Sequence, residues 1–410
     1  MRILTWLAAI VLAWGAMPPA AAQVTMPDGS VIPRDVIDGA GAACKAGKAD
    51  ACLVRGLALT SGIGEGIEID LAAAAFRSAC DGGLGMGCEQ EADIAARRHD
   101  KRQDLKLATE RWARARTIYT ASCEAGNPLG CHRLAGMLTN NSAMADKPRA
   151  VTLLARACFD LEYGPSCIEG SALTGLSTSA VRDPALAARF EAFVDPTLGA
   201  ACEEGRLGAC AMLGDWLLGR LGPKDIARIT TLADKACSGE AVRGCALAAD
   251  LVRRTDGSAE GWDKRYAYLD RACAAQWGYC SDLADLMRAG PPIRSVDSGL
   301  LFLADIKACL AEAEEHCWRL YEPAARLNAN ELGQLVETFD QACLRLPRPS
   351  AEICASAASN HLERAEALAA SAVADRGAAR RLYQRALELP EANEDNPTAH
   401  NEARAFLAGS

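Results

Sequence analysis

The sequence is short of aromatics, short of histidine and short of long apolar runs. Aromatic residues make up 5% of the 410 residues, and only five histidines occur, at positions 99, 132, 316, 361 and 400. None of them forms H-E-x-x-H or another close ligand pair, so neither a metal site nor a cofactor is expected. His132 and His316 adjoin cysteines at helix starts and read as surface residues. Basic residues are outnumbered, 44 Lys+Arg against 53 Asp+Glu, for a formal charge of −9. A chain of that sign lacks the positive surface that supplies nucleic-acid affinity, so no nucleic-acid partner is expected. Catalytic signatures are missing as well: there is no S-x-x-K, S-D-N or K-T-G set and no G-x-S-x-G elbow. No stretch beyond residue 22 reaches ~18 uninterrupted apolar residues, so no membrane span is expected.

The first 22 residues stand apart. Met1-Arg2 is a short positive start, Ile3 to Ala16 is apolar, and Ala20-Ala21-Ala22 places small residues before Gln23. This is the pattern of a secretory signal peptide cut after Ala22. Its apolar run is shorter than the ~20 residues of a membrane span. The chain is therefore expected to be periplasmic or secreted, in an oxidising space where disulfides persist.

Cysteine is what the chain has in excess: eighteen residues. They fall into nine close pairs, Cys44/Cys52, Cys80/Cys88, Cys123/Cys131, Cys158/Cys167, Cys202/Cys210, Cys237/Cys245, Cys273/Cys280, Cys309/Cys317 and Cys343/Cys354. First members are 36, 43, 35, 44, 35, 36, 36 and 34 residues apart. A period near 36 marks a repeat array. The two long intervals imply insertions around Arg97–Arg111 and Ser177–Pro196, which lengthen helices or loops.

Each unit carries the same local grammar. An amphipathic run ends in Ala-Cys, as in Leu71 to Cys80 and Lys264 to Cys273. Glycine follows three residues later at Gly47, Gly83, Gly126 and Gly205, where a left-handed helix end favours it. The second cysteine opens another helix. Four residues on stands a small residue: Gly56, Ala92, Ala135, Ser171, Gly214, Ala249, Ala284 or Ala358, with Tyr321 the exception. A unit is thus two antiparallel helices, A starting near the second cysteine and B ending at the next first cysteine.

This unit resembles the Sel1-like repeat, a relative of the tetratricopeptide repeat, and specifically its cysteine-rich secreted bacterial branch. Ser61-Gly-Ile-Gly-Glu-Gly-Ile-Glu-Ile-Asp70-Leu-Ala-Ala-Ala is similar to that family's G-x-G-V-x-x-D loop and following B helix. The resemblance implies an all-α fold, a right-handed αα-superhelical solenoid of about nine repeats. The expected divisions are a signal peptide at 1–22, an irregular lead-in and cap at 23–43, the array at 44–390, and a C-terminal capping helix and tail at 391–410. Each cysteine pair brackets one helix-to-helix turn, so local disulfides are expected, at the 4.4–6.8 Å Cα separation typical of disulfides. Zinc is the rival use of the cysteines; C-x7-C lacks the tight C-x2-4-C spacing of zinc sites.

Solenoids present long concave surfaces, and the expected function is protein or peptide binding by a monomeric scaffold without catalysis of its own. Alternatives are a structural envelope component, or a weak penicillin-binding or β-lactamase-like hydrolase, an activity linked with cysteine-rich relatives. Gly62-Ile-Gly-Glu-Gly66 reads as a repeat loop, because it follows a helix and Glu65 opposes phosphate. Counting from the second cysteine, position 5 of each A helix turns away from the core. It holds Asp93, Asp215, Asp250, Asp285 and Glu322, an acidic ladder suited to a partner with a basic surface. Arg97, Arg254 and Arg326 lie four residues after three of these acids and Arg288 three after Asp285, so local ion pairing is the competing reading. Trp277-Gly278-Tyr279 lies inside the shortest cysteine loop and reads as an exposed aromatic tip.

Overall fold

The computed structural model describes residues 24–25, 31–61, 68–97, 103–141, 144–220, 225–239, 241–290, 298–311, 329–345, 351–367, 372–389 and 398–409. The signal-peptide segment 1–22, the Gly62–Gly66 loop, His316, Cys317 and Glu322 lie outside the described residues. A two-residue antiparallel pair, Val24–Thr25 with Val31–Ile32, gives the lead-in a regular element where an irregular one was expected. Helices α1 (Arg34–Lys45), α2 (Ala49–Ser61), α3 (Ile69–Asp81), α4 (Gly85–Arg97), α5 (Leu105–Glu124) and α6 (Pro128–Asn140) follow. Next come α7 (Lys147–Ala155), α8 (Gly164–Gly175), α9 (Pro184–Glu203), α10 (Leu207–Gly219), α11 (Ile226–Ser238) and α12 (Val242–Thr255). The described chain closes with α13 (Ala259–Ala275), α14 (Cys280–Ala289), α15 (Ser298–Leu310), α16 (Ala329–Arg345), α17 (Ala351–Ala367), α18 (Ala372–Ala386) and α19 (Thr398–Gly409). Helices adjacent in sequence pack on one another along the array, which is the all-α solenoid of paired helices expected.

One turn chemistry recurs. After a B helix, Gly47, Gly83, Gly126 and Gly205 sit at φ 84 to 90°. The glycine N–H donates to the carbonyl of the first cysteine, and the next residue donates five back, as Lys48 does to Ala43 at 3.1 Å and Leu84 to Ala79 at 3.0 Å. Both bonds satisfy carbonyls that a helix end would leave unpaired. Paired cysteines, with this turn or another between them, lie at Cα separations of 4.5 to 5.0 Å in the eight bridges whose two cysteines are both described. These are Cys44–Cys52, Cys80–Cys88, Cys123–Cys131, Cys158–Cys167, Cys202–Cys210, Cys237–Cys245, Cys273–Cys280 and Cys343–Cys354. Cys309 is also disulfide-bonded, and no free cysteine occurs among the described residues. Oxidised sulfur is not a thiolate ligand, so the zinc reading of these pairs is set aside.

The place of the second cysteine in its helix is a correction. Cys52, Cys88, Cys131, Cys210 and Cys354 do not open their A helices. Those helices start three residues earlier, at Ala49, Gly85, Pro128, Leu207 and Ala351, which puts each cysteine one turn inside. Cys167 and Cys245 are offset in the same way, and only Cys280 stands first in its helix as described. For Cys52, Cys88, Cys131 and Cys210 the reason is the tightness of the glycine turn, which leaves room for a further helical turn before the cysteine. A Cβ in a helix leans toward its N-terminus, so a cysteine one turn in still reaches back to the end of the B helix. Being inside the helix also hides it: Cys52, Cys88, Cys131, Cys210 and Cys354 are all buried.

Two of the off-length pairs are absorbed locally. For Cys158–Cys167, one residue longer, the helix widens into a π turn over Arg156–Asp160, and Glu162 takes the positive φ of 52°. For Cys273–Cys280, one residue shorter, the turn tightens into a 3-10 segment, Trp277–Tyr279. The two insertions lengthen B helices: α5 and α9 each run 20 residues. Asp183 caps α9 by accepting from the N–H groups of Ala185 and Leu186, with Pro184 at the first turn, as its sequence suggests.

Packing explains the small residues. A Cβ on Gly56 would lie 2.4 Å from the Phe76 ring, and one on Gly214 would lie 2.3 Å from Leu247 Cδ2. Ala92, Ala135, Ala284 and Ala358 are fully buried at the same position. A second close crossing has no signal in the repeat pattern. Gly87, Gly130 and Gly244 each precede a second cysteine, and a Cβ there would come within 2.9 Å of the backbone nitrogen of the first cysteine of the same pair.

Candidate functional site

The A helices turn one face outward, and two cavities lie along it. The larger, about 720 Å³, is lined by Glu89, Asp93 and Arg97 of α4, by His132, Arg133 and Met137 of α6, by Glu169 of α8, and by Trp112 of the B helix α5. The second, about 570 Å³, lies among α10, α12, α13 and α14. Its floor is Ala246, Leu247, Ala249 and Leu269; its polar rim holds Asp215, Asp250, Asp282, Arg243, Arg253, Arg265 and Tyr279. The cysteines line neither cavity. Buried bridge residues such as Cys88, Cys131 and Cys210 fix the helices that carry this face and are not part of it.

Position 5 does face this side, but the acids are not a bare ladder. Asp93 accepts from Trp112 Nε1 at 3.0 Å and pairs with Arg97 at 3.7 Å. Asp250 accepts from Arg253 and from Arg254, the latter at 2.9 Å, and Asp285 pairs with Arg288 at 3.6 Å. These are the local pairs that helical spacing supplies. Asp215, which has no basic residue four positions on, pairs instead with Arg243 of the next repeat. Burial raises the Asp215 carboxyl above the ordinary range, with the Arg243 guanidinium pulling it back. Burial acts the same way on Asp250, but hydrogen bonds from Arg253 and Arg254 outweigh it and hold that carboxyl low. Asp215 and Asp250 therefore share one cavity, Asp93 lines the other, and Asp285 lines neither.

The aromatic tip is a correction. Trp277 is half-buried and packs between two core clusters, one around α14 and one around α16 and α17. Tyr279 is also half-buried and lines the second cavity. The reason is the short loop: a span of seven residues cannot loop outward, so the 3-10 turn folds both rings back against the helices.

His132 is a further correction. Its ring lies in the first cavity with Ser166 Oγ at 3.1 Å and Glu169 at 3.4 Å, both on Nδ1. Burial, and then the nearby Arg133, pull its pKa down to about 4. Ser, His and Glu meet here without forming a catalytic triad. A triad needs the serine and the acid on opposite ring nitrogens, and Ser166 is fully buried. Burial also raises the Glu89 and Glu169 carboxyls, and Glu89 accepts from Tyr119 at 2.7 Å. A further buried group escaped the sequence reading: His361 of α17 bridges Asp375 of α18 at 2.8 Å and Asp340 of α16 at 2.9 Å. It ties three helices together.

The neutral His132 has a testable consequence. Its proton resonances are expected to stay flat from pH 8 to about 5.5 and to move near pH 4, whereas an unperturbed histidine titrates near 6.5. The folded pKa lies below the unfolded one, so unfolding takes up a proton between about pH 6.5 and 4. The stability that a neutral His132 contributes is complete above about 6.5 and shrinks as pH falls through that window. The drop in melting temperature from pH 7 to pH 5 should be smaller in His132→Gln than in the parent protein. Equal drops, or a midpoint near 6.5, would show an exposed ring.

Arranged this way, the chain is an αα-repeat solenoid whose units are stapled by local disulfides. No protein-family model matches the chain, and no curated protein matches it. Solved structures similar to it are helical-repeat proteins. They include c5321, a protective antigen present in uropathogenic Escherichia coli strains and displaying an SLR fold, at 15% identity and TM-score 0.40 over 91% of this chain and 74% of that one. A Sel1 repeat protein from Oxalobacter formigenes matches at 14% identity and TM-score 0.38, over 80% of this chain and 94% of its own. Yeast Tom70 matches at 12% identity and TM-score 0.37, over 88% of this chain and 64% of its own.

Proposed function

We propose that the protein is a periplasmic or secreted interaction scaffold, docking a protein or peptide on its A-helix face and catalysing no reaction itself. The observation that carries this reading is the pair of open cavities on one face of the array, each with apolar and charged lining side by side. Such mixed surfaces suit segments of polypeptide, whose apolar side chains find a floor and whose polar groups find partners at the rim. Disulfides suit an oxidising compartment, in line with a signal peptide at residues 1–22 removed after Ala22. In this reading residues 23–43 are lead-in and cap, 44–390 the array and 391–410 a closing tail, and the working form is a monomer. Among the described residues, no helix is long and apolar enough to cross a membrane.

The test is capture by crosslinking from envelope extract, comparing the parent protein with a variant altered in both cavities, Asp93→Asn with Leu247→Ala. A partner recovered on the parent and lost on the variant supports scaffolding. Equal recovery on both places the contact elsewhere. Nitrocefin turnover by purified protein would instead favour the hydrolase.

A further inference from the structure

The two cavities differ in charge. The second is balanced, with Asp215, Asp250 and Asp282 against Arg243, Arg253 and Arg265. The first is not: Glu89, Asp93 and Glu169 face Arg97 and Arg133. His132 does not make up the difference, because its ring is neutral at pH 7, as even an unperturbed imidazole mostly is. Each arginine is already taken. Arg97 pairs with Asp93 at 3.7 Å, and Arg133 with Glu89 at 3.8 Å. Glu169 of α8 is left over. Among the described residues it joins no ion pair with Lys or Arg; Arg133 attracts it from beyond ion-pair distance. Its contact is His132 Nδ1 at 3.4 Å, a group without charge. The side chain keeps 29% of its surface exposed, so the carboxylate is open to a ligand. The same cavity has apolar lining from Met137 of α6 and from Trp112 of α5, whose Nε1 is fixed on Asp93. Its volume, about 720 Å³, is ample for one long side chain.

We infer that the first cavity receives a lysine or arginine side chain of a peptide segment, its cationic head on the Glu169 carboxylate and its carbon stem on Met137 and Trp112. The inference rests on the scaffold reading and narrows its partner. An ammonium or guanidinium group donates and a carboxylate accepts, and charge on both sides strengthens the bond. Lys and Arg also carry carbon stems that cover apolar surface while the head stays polar, which fits a lining of both kinds. One uncompensated negative charge suits one cation. A bound carboxylate would instead set four acids against two arginines. The sign is that of the partner which the position-5 acids suggest, but the residue is another. Asp93 is the position-5 acid in this cavity and is neutralised by Arg97, whereas Glu169 stands two residues after Cys167, outside that series.

The probe is a phage-displayed random peptide library selected on the full mature protein. Expected is enrichment of peptides carrying Lys or Arg. A synthetic peptide from that pool should bind Glu169→Gln at least tenfold more weakly. Glu110→Gln makes the same charge change on an exposed residue of α5 outside both cavities, and should leave the affinity within about twofold. Replacing the cationic residue of the peptide by norleucine should cost as much as Glu169→Gln does, and the two changes together no more than either alone. Glutamine keeps the size of Glu169 and an acceptor for His132, so an unchanged melt is expected and separates binding from folding. The norleucine peptide tests the same contact on the unaltered protein. Enrichment of acidic or uncharged peptides overturns the inference and leaves the scaffold standing. So does a basic peptide that binds Glu169→Gln unchanged, or one that loses as much on Glu110→Gln. Failure to enrich any peptide overturns the scaffold reading and the inference with it.

Discussion

Reduction of the disulfides is expected to unfold the array completely. Each local bridge closes a loop of about nine residues, worth roughly 2.5 kcal/mol in the chain-entropy description. Eight such bridges total about 20 kcal/mol, more than the 5–15 kcal/mol of net stability of an ordinary native protein. The core they support is built largely of alanine, with few large side chains to replace them. Every described bridge cysteine except Cys44 is buried, so reductant should act slowly on the native protein and fast once denaturant opens it. Helical circular dichroism should be lost as thiols appear, followed by maleimide labelling. A fully reduced chain that keeps its helix signal and a cooperative melt would show that the bridges are dispensable. One bridge alone should behave differently. Replacing Cys237 and Cys245 by serine should cost about 2–3 kcal/mol, with hydrogen-exchange protection falling in α11 and α12 and persisting in α4 to α6. Nearest-neighbour coupling in repeat arrays is the reason for that confinement.

The same substitution made at two glycines should have opposite signs. Gly244 lies where α12 crosses the end of α11, and an added Cβ would sit 2.3 Å from Ala236 Cβ and 2.6 Å from the Cys237 backbone nitrogen. Neither neighbour is a flexible side-chain end, and the disulfide between Cys237 and Cys245 holds the helices together there. Gly244→Ala should cost about 3 kcal/mol, at the upper end of overpacking effects, despite the ~1 kcal/mol by which alanine favours a helix. Gly39 is exposed in α1 with nothing near its added Cβ, so Gly39→Ala should stabilise by about 0.5–1 kcal/mol. Thermal or urea unfolding reads both. A neutral Gly244→Ala would mean that the crossing is looser than described.

These predictions draw on different kinds of information. The repeat, its helix pairs, the left-handed glycines and the cysteine pairing were legible along the chain. They depend on contacts within about ten residues, and the turn from B helix to A helix is closed by the chain's own geometry. The exact helix start was less legible. Cys52, Cys88, Cys131 and Cys210 sit one turn further in than their spacing suggests, because the glycine turn is closed by backbone bonds that spacing does not count. Position 5 could be placed on the outer face, because helical periodicity fixes direction relative to the core. The pairing of Asp93 with Arg97, Asp250 with Arg254 and Asp285 with Arg288 follows from the same periodicity.

What meets that face was decided elsewhere. Asp215 finds Arg243 across 28 residues, and Tyr119 reaches Glu89 across 30. Such contacts depend on how far each repeat is rotated against the next. That rotation follows from side-chain volumes at the crossings, such as Gly214 beneath Leu247, and local spacing does not encode it. The partial burial of His132 and the inward fold of Trp277 and Tyr279 arise at this level. Bonds closed within one turn are written in the order of residues, whereas the balance of charge in a cavity exists only once several repeats have stacked.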